Sequence, residues 1–172
     1  VNYNRVLQLN DFKKVISQIE GLKTVRLNGL GESTLIPNFE EYLEFLFEKN
    51  LSVELITNGS GKTEEYKKIL RNNGLVIISW DAAEREIFEK LRRPAKWDEY
   101  VNNLLRSTQG ISNIELRKIS LLFTIQKQNI NQLSKLVLKS LDWKIKNIIV
   151  NVVKDNQSEW SNHRFSEIEN EF

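Results

Sequence analysis

Leu75-Val76-Ile77-Ile78-Ser79-Trp80 is apolar at all but one position, and its reading decides the fold. A strand with one wet face alternates apolar and polar residues, whereas a strand covered on both faces is apolar almost throughout. This run therefore reads as a strand inside a sheet covered on both sides. Before it, Thr63 opens a helix through Tyr66, Ile69 and Leu70 that stops at Asn73-Gly74. After it, a helical stretch from about Ala83 to Leu91 breaks at Arg93-Pro94, and a second helix runs from Trp97 to about Thr108.

The same alternation extends to both ends. Phe12, Val15, Ile16, Ile19 and Leu22 recur at helical spacing, with Asn10-Asp11 as the expected cap and Gly21 as the stop. Thr24 to Asn28 and Ser52 to Thr57 read as strands. Between them Asn38 is expected to cap a helix with a stripe of Phe39, Tyr42, Leu43, Leu46 and Phe47, with Glu41 as capping-box partner. Ile119 to Gln126 reads as a fourth strand, with an earlier start near Glu115 as an alternative. Gln132 to Leu141 reads as a helix, and Ile145 to Val153 as a fifth strand. Residues 155–172 are polar, mixed in charge and weakly patterned: a frayed tail, or the start of a further segment.

Strands alternating with helices predict βαβ units and a parallel sheet, with all strand carboxyl ends on one side. Both a doubly wound sheet and a β/α barrel bind ligands on that side. Polar residues gather there: Asn28 to Glu32, Thr57 to Gly59, Asp81, Gln126 to Asn129, and Asn151 with Lys154. The first helix has no strand before it, so a preceding strand and loop are expected ahead of these residues.

The 172 residues suit one domain, and 40% apolar with 28% charged residues is ordinary globular composition. A net charge of +2 gives no concentrated basic face, which argues against a nucleic-acid partner. No apolar run approaches the roughly 20 residues of a membrane span, and no signal-peptide pattern is present, so a cytoplasmic location without a membrane partner is expected. With no cysteine there is no disulfide, thiolate nucleophile or cysteine metal site within the chain. The sequons at Asn58 and Asn156 read as chance matches, and the start at Val1 without methionine reads as a trimmed segment.

Gly29-Leu30-Gly31-Glu32-Ser33 follows the first strand. Its glycines permit a sharp turn and close approach to a ligand, and its carboxylate suits a ligand ammonium. With Thr57-Asn58-Gly59, Ile78-Ser79-Trp80-Asp81, Glu89-Lys90-Leu91-Arg92-Arg93 and Trp97-Asp98-Glu99-Tyr100-Val101 in order, the chain from about Asp11 to Val153 resembles the core of radical S-adenosylmethionine enzymes. The resemblance implies a partial parallel β/α barrel over residues 1–154, with five of six strands present. It implies that S-adenosylmethionine is reductively cleaved at a 4Fe-4S cluster, the resulting 5′-deoxyadenosyl radical abstracting hydrogen from an unidentified small-molecule or peptide substrate.

The resemblance also implies residue roles. Gly29, Gly31 and Glu32 would hold the amino group of the cofactor, and Ser79 and Asp81 would lie near its ribose and carboxylate. Asn58, Gln126 and Asn129 are candidates for ribose or substrate contact, and Arg92 for a carboxylate. Ser33 departs from the family's usual proline. The three-cysteine loop, which the family places between its first strand and first helix, would fall before Val1 or within Val1 to Leu9, where no cysteine occurs. A missing end strand would leave an open edge, so self-association or a partner segment supplying that strand is expected.

Two rival readings belong beside this one. A relative that has lost its cluster would be a non-catalytic scaffold or binding module. Gly59-Ser60-Gly61-Lys62-Thr63 follows a strand as a phosphate-binding loop would, but Ile56 stands where the full pattern needs a glycine, and Thr63 as a helix cap explains the same letters. His163 reads as a solvated residue, the segment from Lys90 to Lys96 as a solvated face, and Trp80, Trp97, Trp143 and Trp160 as core or rim packing.

Overall fold

The computed structural model describes residues 6–29 and 31–152. Lys154, Trp160, His163, the second sequon, the C-terminal tail and Leu30 of the glycine phrase lie outside the described residues. Within them, five strands form one sheet in the order β1 (Thr24–Leu27), β2 (Ser52–Thr57), β3 (Leu75–Ser79), β4 (Ile119–Ile125) and β5 (Asn147–Val152). Every neighbouring pair is parallel, as the alternation of elements predicts.

Among the described residues, α1 (Leu9–Ser17) precedes the first strand, and α2 (Phe39–Glu48), α3 (Thr63–Arg71), α4 (Arg85–Leu91), α5 (Trp97–Thr108), α6 (Asn113–Leu116) and α7 (Leu133–Asp142) lie between strands. One sheet face packs on helices through Val53, Leu55, Val76, Ile78, Leu121 and Phe123, all buried. The alternate residues Ser52, Glu54 and Ile56 of β2, and Ser120, Leu122 and Thr124 of β4, are only half-buried on the other face. That asymmetry fits a partial barrel, with helices on its outer face. On this inner side of β3 only Ile77 is buried, while Leu75 is exposed and Ser79 half-exposed, so the expectation that the run is covered on both faces holds at its centre alone.

Trp80 anchors the helix side. Its ring lies 4.8 Å from Phe88, 5.0 Å from Trp143 and 5.7 Å from Trp97, in tilted and edge-to-face contacts. Three of the four tryptophans are thus core residues, as their sequence context suggests.

Several local expectations are corrected. Helix α1 starts at Leu9, so Asn10 and Asp11 lie in its first turn and do not cap it. Only Phe12 and Ile16 of its stripe are buried, while Val15 and Ile19 stay 49% exposed. Asn38 precedes α2 with a left-handed backbone (φ 55°) and no side-chain cap bond, so no capping box forms with Glu41; a capping side chain works from extended backbone. The capping box sits instead at Ser112 and Glu115, which turns the segment around Glu115 into α6 and removes the early start of the fourth strand. The Ser112 amide bonded to Glu115 holds that carboxyl below its usual range. Thr63 is the first residue of α3, and Lys62, at φ 50°, occupies the cap position.

Gly74 fits where the chain leaves α3 for β3. A Cβ there would collide with the Val53 carbonyl oxygen and the Ile69 side chain. Gly74→Ala is expected to destabilise the protein by about 1–3 kcal/mol in urea unfolding. Gly61→Ala, where a Cβ meets nothing within 4 Å, should stay within about 0.5 kcal/mol.

Candidate functional site

The strand carboxyl ends hold a hydrogen-bonded hub built on Glu32. Its Oε1 accepts from the Thr34 amide (3.2 Å), the Thr34 hydroxyl (2.7 Å) and the Thr57 hydroxyl (2.8 Å). Its Oε2 accepts from the Asn58 amide at 2.6 Å. Glu32 thereby caps the 3₁₀ turn Ser33–Leu35 and ties it to the end of β2. Ser33, in the place of the family's proline, opens that turn. A carboxylate offers roughly four lone-pair sites, and Oε2 makes a single bond among the described residues, so it retains acceptor capacity toward the open side.

Behind the hub, the Thr57 oxygen donates to Glu32 and accepts from the Tyr66 phenol (3.0 Å) and the Gly59 amide (3.1 Å). Burial pushes the Tyr66 phenol well above its usual value, with the nearby Glu32 charge adding to the rise. It therefore stays a donor at neutral pH. Thr34, Thr57 and Tyr66 are nearly inaccessible. Sequence reading did not single out Thr34 or Tyr66 for this role; the threonine two residues after Glu32 was the available signal.

Asn58 accepts from the Ser60 amide through Oδ1 (2.8 Å), leaving its Nδ2 for the open side. Gly59 sits at φ 85°, where a Cβ would press on Ile78, and its carbonyl accepts from Asn103 at 3.3 Å. The amides of Gly59 and Ser60 are thus spent inside the protein. Lys62 Nζ turns toward Glu40 (3.9 Å) and the Phe39 ring. With the Gly59 and Ser60 amides occupied and the lysine turned away, this loop does not form the phosphate cradle that the P-loop reading requires.

Asp81 and Arg92 are brought together: Asp81 Oδ2 accepts from Arg92 Nη1 at 2.5 Å, and Oδ1 accepts from the Thr124 amide at 2.9 Å. Their side chains are 10% and 17% exposed. Asp81 therefore positions Arg92 and clamps β3 to β4. Asn129 is completely buried and wholly occupied by backbone, donating to the carbonyls of Asp81 and Thr124 and accepting from the Gln126 amide. That corrects its expected ribose or substrate contact: it fixes the loop. Gln132, which sequence reading missed, does the same by accepting from the Ala83 amide and donating to Glu84. Ser79 and Gln126 have side chains that bond to no other described group, and both are half-exposed at the strand ends.

Gly29 and Gly31 are exposed and have room for a Cβ, with neither backbone in the left-handed region. The protein's own packing makes no demand for glycine there. Among the described residues no cluster of His, Cys, Asp or Glu could hold a metal ion, and the whole sequence has no cysteine. These residues do not fit a 4Fe-4S cluster. No described helix is long and apolar enough to cross a membrane.

No protein-family model and no curated protein matches the sequence. Solved structures match the fold. Streptococcus suis SuiB bound to S-adenosylmethionine aligns with a TM-score of 0.71 at 15% identity, over 94% of this chain and 36% of that one. Native anSMEcpe with bound AdoMet aligns with a TM-score of 0.69 at 17% identity, over 93% and 48%. TYW1 with a lysine-pyruvate adduct bound aligns with a TM-score of 0.62 at 18% identity, over 85% and 47%. The chain has the fold of the radical S-adenosylmethionine enzymes. It spans half or less of the length of these structures. The partial barrel of that fold places the Glu32 hub, Asn58, Ser79, Asp81 with Arg92, and Gln126 along one rim.

Thr57→Val removes the link between Tyr66 and Glu32 and is expected to cost about 1–3 kcal/mol in urea unfolding. Alkaline pH gives a second readout. Because the folded pKa of Tyr66 is raised, its contribution is whole below the unfolded value of about 10 and is lost as pH rises further. Stability should fall above about pH 10, and Tyr66→Phe should flatten that fall.

Proposed function

We propose that this chain forms the S-adenosylmethionine-binding wall of a radical S-adenosylmethionine enzyme. The observation that carries the reading is the unspent acceptor capacity of Glu32 Oε2, held at the carboxyl end of the sheet by bonds to the turn after β1 and the end of β2. A fixed carboxylate of this kind suits the cofactor's ammonium through charge-assisted hydrogen bonds. Gly29 and Gly31 leave the backbone bare where the cofactor would lie. Asn58, Ser79 and Gln126 offer polar side chains to its ribose. Arg92, held by Asp81, offers its remaining donors to the cofactor carboxylate, while Asn129 and Gln132 keep the loops in place.

Bound S-adenosylmethionine would supply the whole enzyme with a source of a 5′-deoxyadenosyl radical. Cleavage at a 4Fe-4S cluster needs cysteine ligands from outside these 172 residues. The absence of any cysteine favours a second reading, a non-catalytic scaffold with the same fold. A CxxxCxxC encoded ahead of Val1 supports the enzyme; its absence from a complete reading frame supports the scaffold. In either case β1, where the missing first strand would pair, is an outer strand of the described sheet, as is β5 with exposed Val150 and Val152, and such an edge suits a covering partner segment or second copy.

Calorimetric titration with S-adenosylmethionine tests the binding role. Gly31→Ala should leave stability unchanged and weaken binding, and Glu32→Gln should weaken it about tenfold or more. Unchanged affinity in both variants would remove the assignment.

A further inference from the structure

The inner face of the sheet carries a second recognition element, below the rim formed by Asn58 and Ser79. Arg26 and Glu54 are direct register partners on β1 and β2. Val25 and Leu27 pack toward the helices, as do Val53 and Leu55, so Arg26 and Glu54 project from the inner face. They meet through one bond, Arg26 Nε to Glu54 Oε2 at 2.8 Å. This is a single-point contact between groups that could pair through two. Both Nη groups of Arg26 and Oε1 of Glu54 have no partner among the described residues. Glu54 is held down on the sheet at 16% exposure, while Arg26 reaches out at 58%. The Glu54 bond holds the Arg26 guanidinium above its usual pKa, so the charge is fixed.

The surroundings narrow the ligand. Two residues on from Glu54, the next inward-facing residue of β2 is Ile56, with Ile77 beside it, and Asn28 follows the end of β1. Leu75 lies beside Glu54. The charged pair therefore borders an aliphatic floor that leads toward Asn58 and Ser79. From Glu54 to Asn58 the strand rises about 13 Å. Because the two charges lie side by side, an anion alone would meet the repulsion of Glu54, and a cation alone that of Arg26. A zwitterionic head group satisfies both.

We propose that Arg26 and Glu54 bind the head group of a free α-amino acid substrate. The two Nη groups take its carboxylate as a planar fork, and Glu54 Oε1 takes its ammonium. The side chain lies over Ile56 and Ile77 and points to the strand ends. This deepens the preceding proposal by naming the substrate class of the same site, and it rests on that reading of the inner face.

Titration of the full chain with L-leucine, L-lysine, L-tyrosine and L-glutamate, each with and without S-adenosylmethionine, tests it by calorimetry. At least one should bind saturably, and Arg26→Gln and Glu54→Gln should each weaken that binding about tenfold or more. The amide derivative of the bound amino acid lacks the carboxylate and should be insensitive to Arg26→Gln. The N-acetyl derivative lacks the ammonium and should be insensitive to Glu54→Gln. Both variants alter a partly exposed pair and should keep the parent's melting profile. They should also keep its affinity for S-adenosylmethionine, so failure here is distinct from failure of the cofactor assignment. No saturable binding of any of the four, or binding indifferent to both substitutions, overturns the proposal.

Discussion

The Glu32 carboxylate gathers four donors from the turn after β1 and the end of β2, and the rim of the site depends on that gathering. Nearly buried hydroxyls of Thr34 and Thr57 satisfy one oxygen, and Tyr66 and the Gly59 amide satisfy Thr57 in turn. A carboxylate so solvated by fixed donors needs little reorganisation to meet a cation. The same bonds hold Asn58 at the open side, so the geometry of two candidate contacts is set by one charged group. Across the rim, Asp81 works similarly, taking Arg92 and the Thr124 amide. Each carboxylate joins neighbouring strands or their connecting loops.

These clamps have a location because the sheet is wholly parallel. Parallel order brings every strand carboxyl end to one side, and the core packs on one face of the sheet while the other is only half-buried. Polar residues at the rim and the Arg26–Glu54 pair lower down then frame one inner surface, with Ile56 and Ile77 between them. The aromatic cluster around Trp80 stiffens the opposite face, directly behind Ser79 and Asp81.

Strands were legible in the sequence because their patterns are strong: β2 matches the run Ser52 to Thr57 residue for residue, and β3 loses only Trp80. Helix starts were less so. Asn38 and Thr63 have capping side chains, but left-handed backbones at Asn38 and Lys62 decide otherwise, and composition does not reveal backbone sign. Ser112-Asn113-Ile114-Glu115 carries a readable capping signature that apolar residues nearby obscured. Glycine and glutamate at the rim were legible as local phrases. The pairing of Asp81 with Arg92, the burial of Asn129 and the support from Tyr66 arise from contacts between residues distant in sequence, and no local phrase encodes them.

Amide chemical shifts on titration with S-adenosylmethionine test the central claim most directly, since the Asn58 amide donates to the carboxylate assigned to the cofactor. The account predicts saturable shifts at Asn58, Gly31 and Ser79, with Lys23, Asn73 and Arg117 at the opposite end of the sheet unmoved. Shifts concentrated at that opposite end, or none anywhere at saturating ligand, would contradict it.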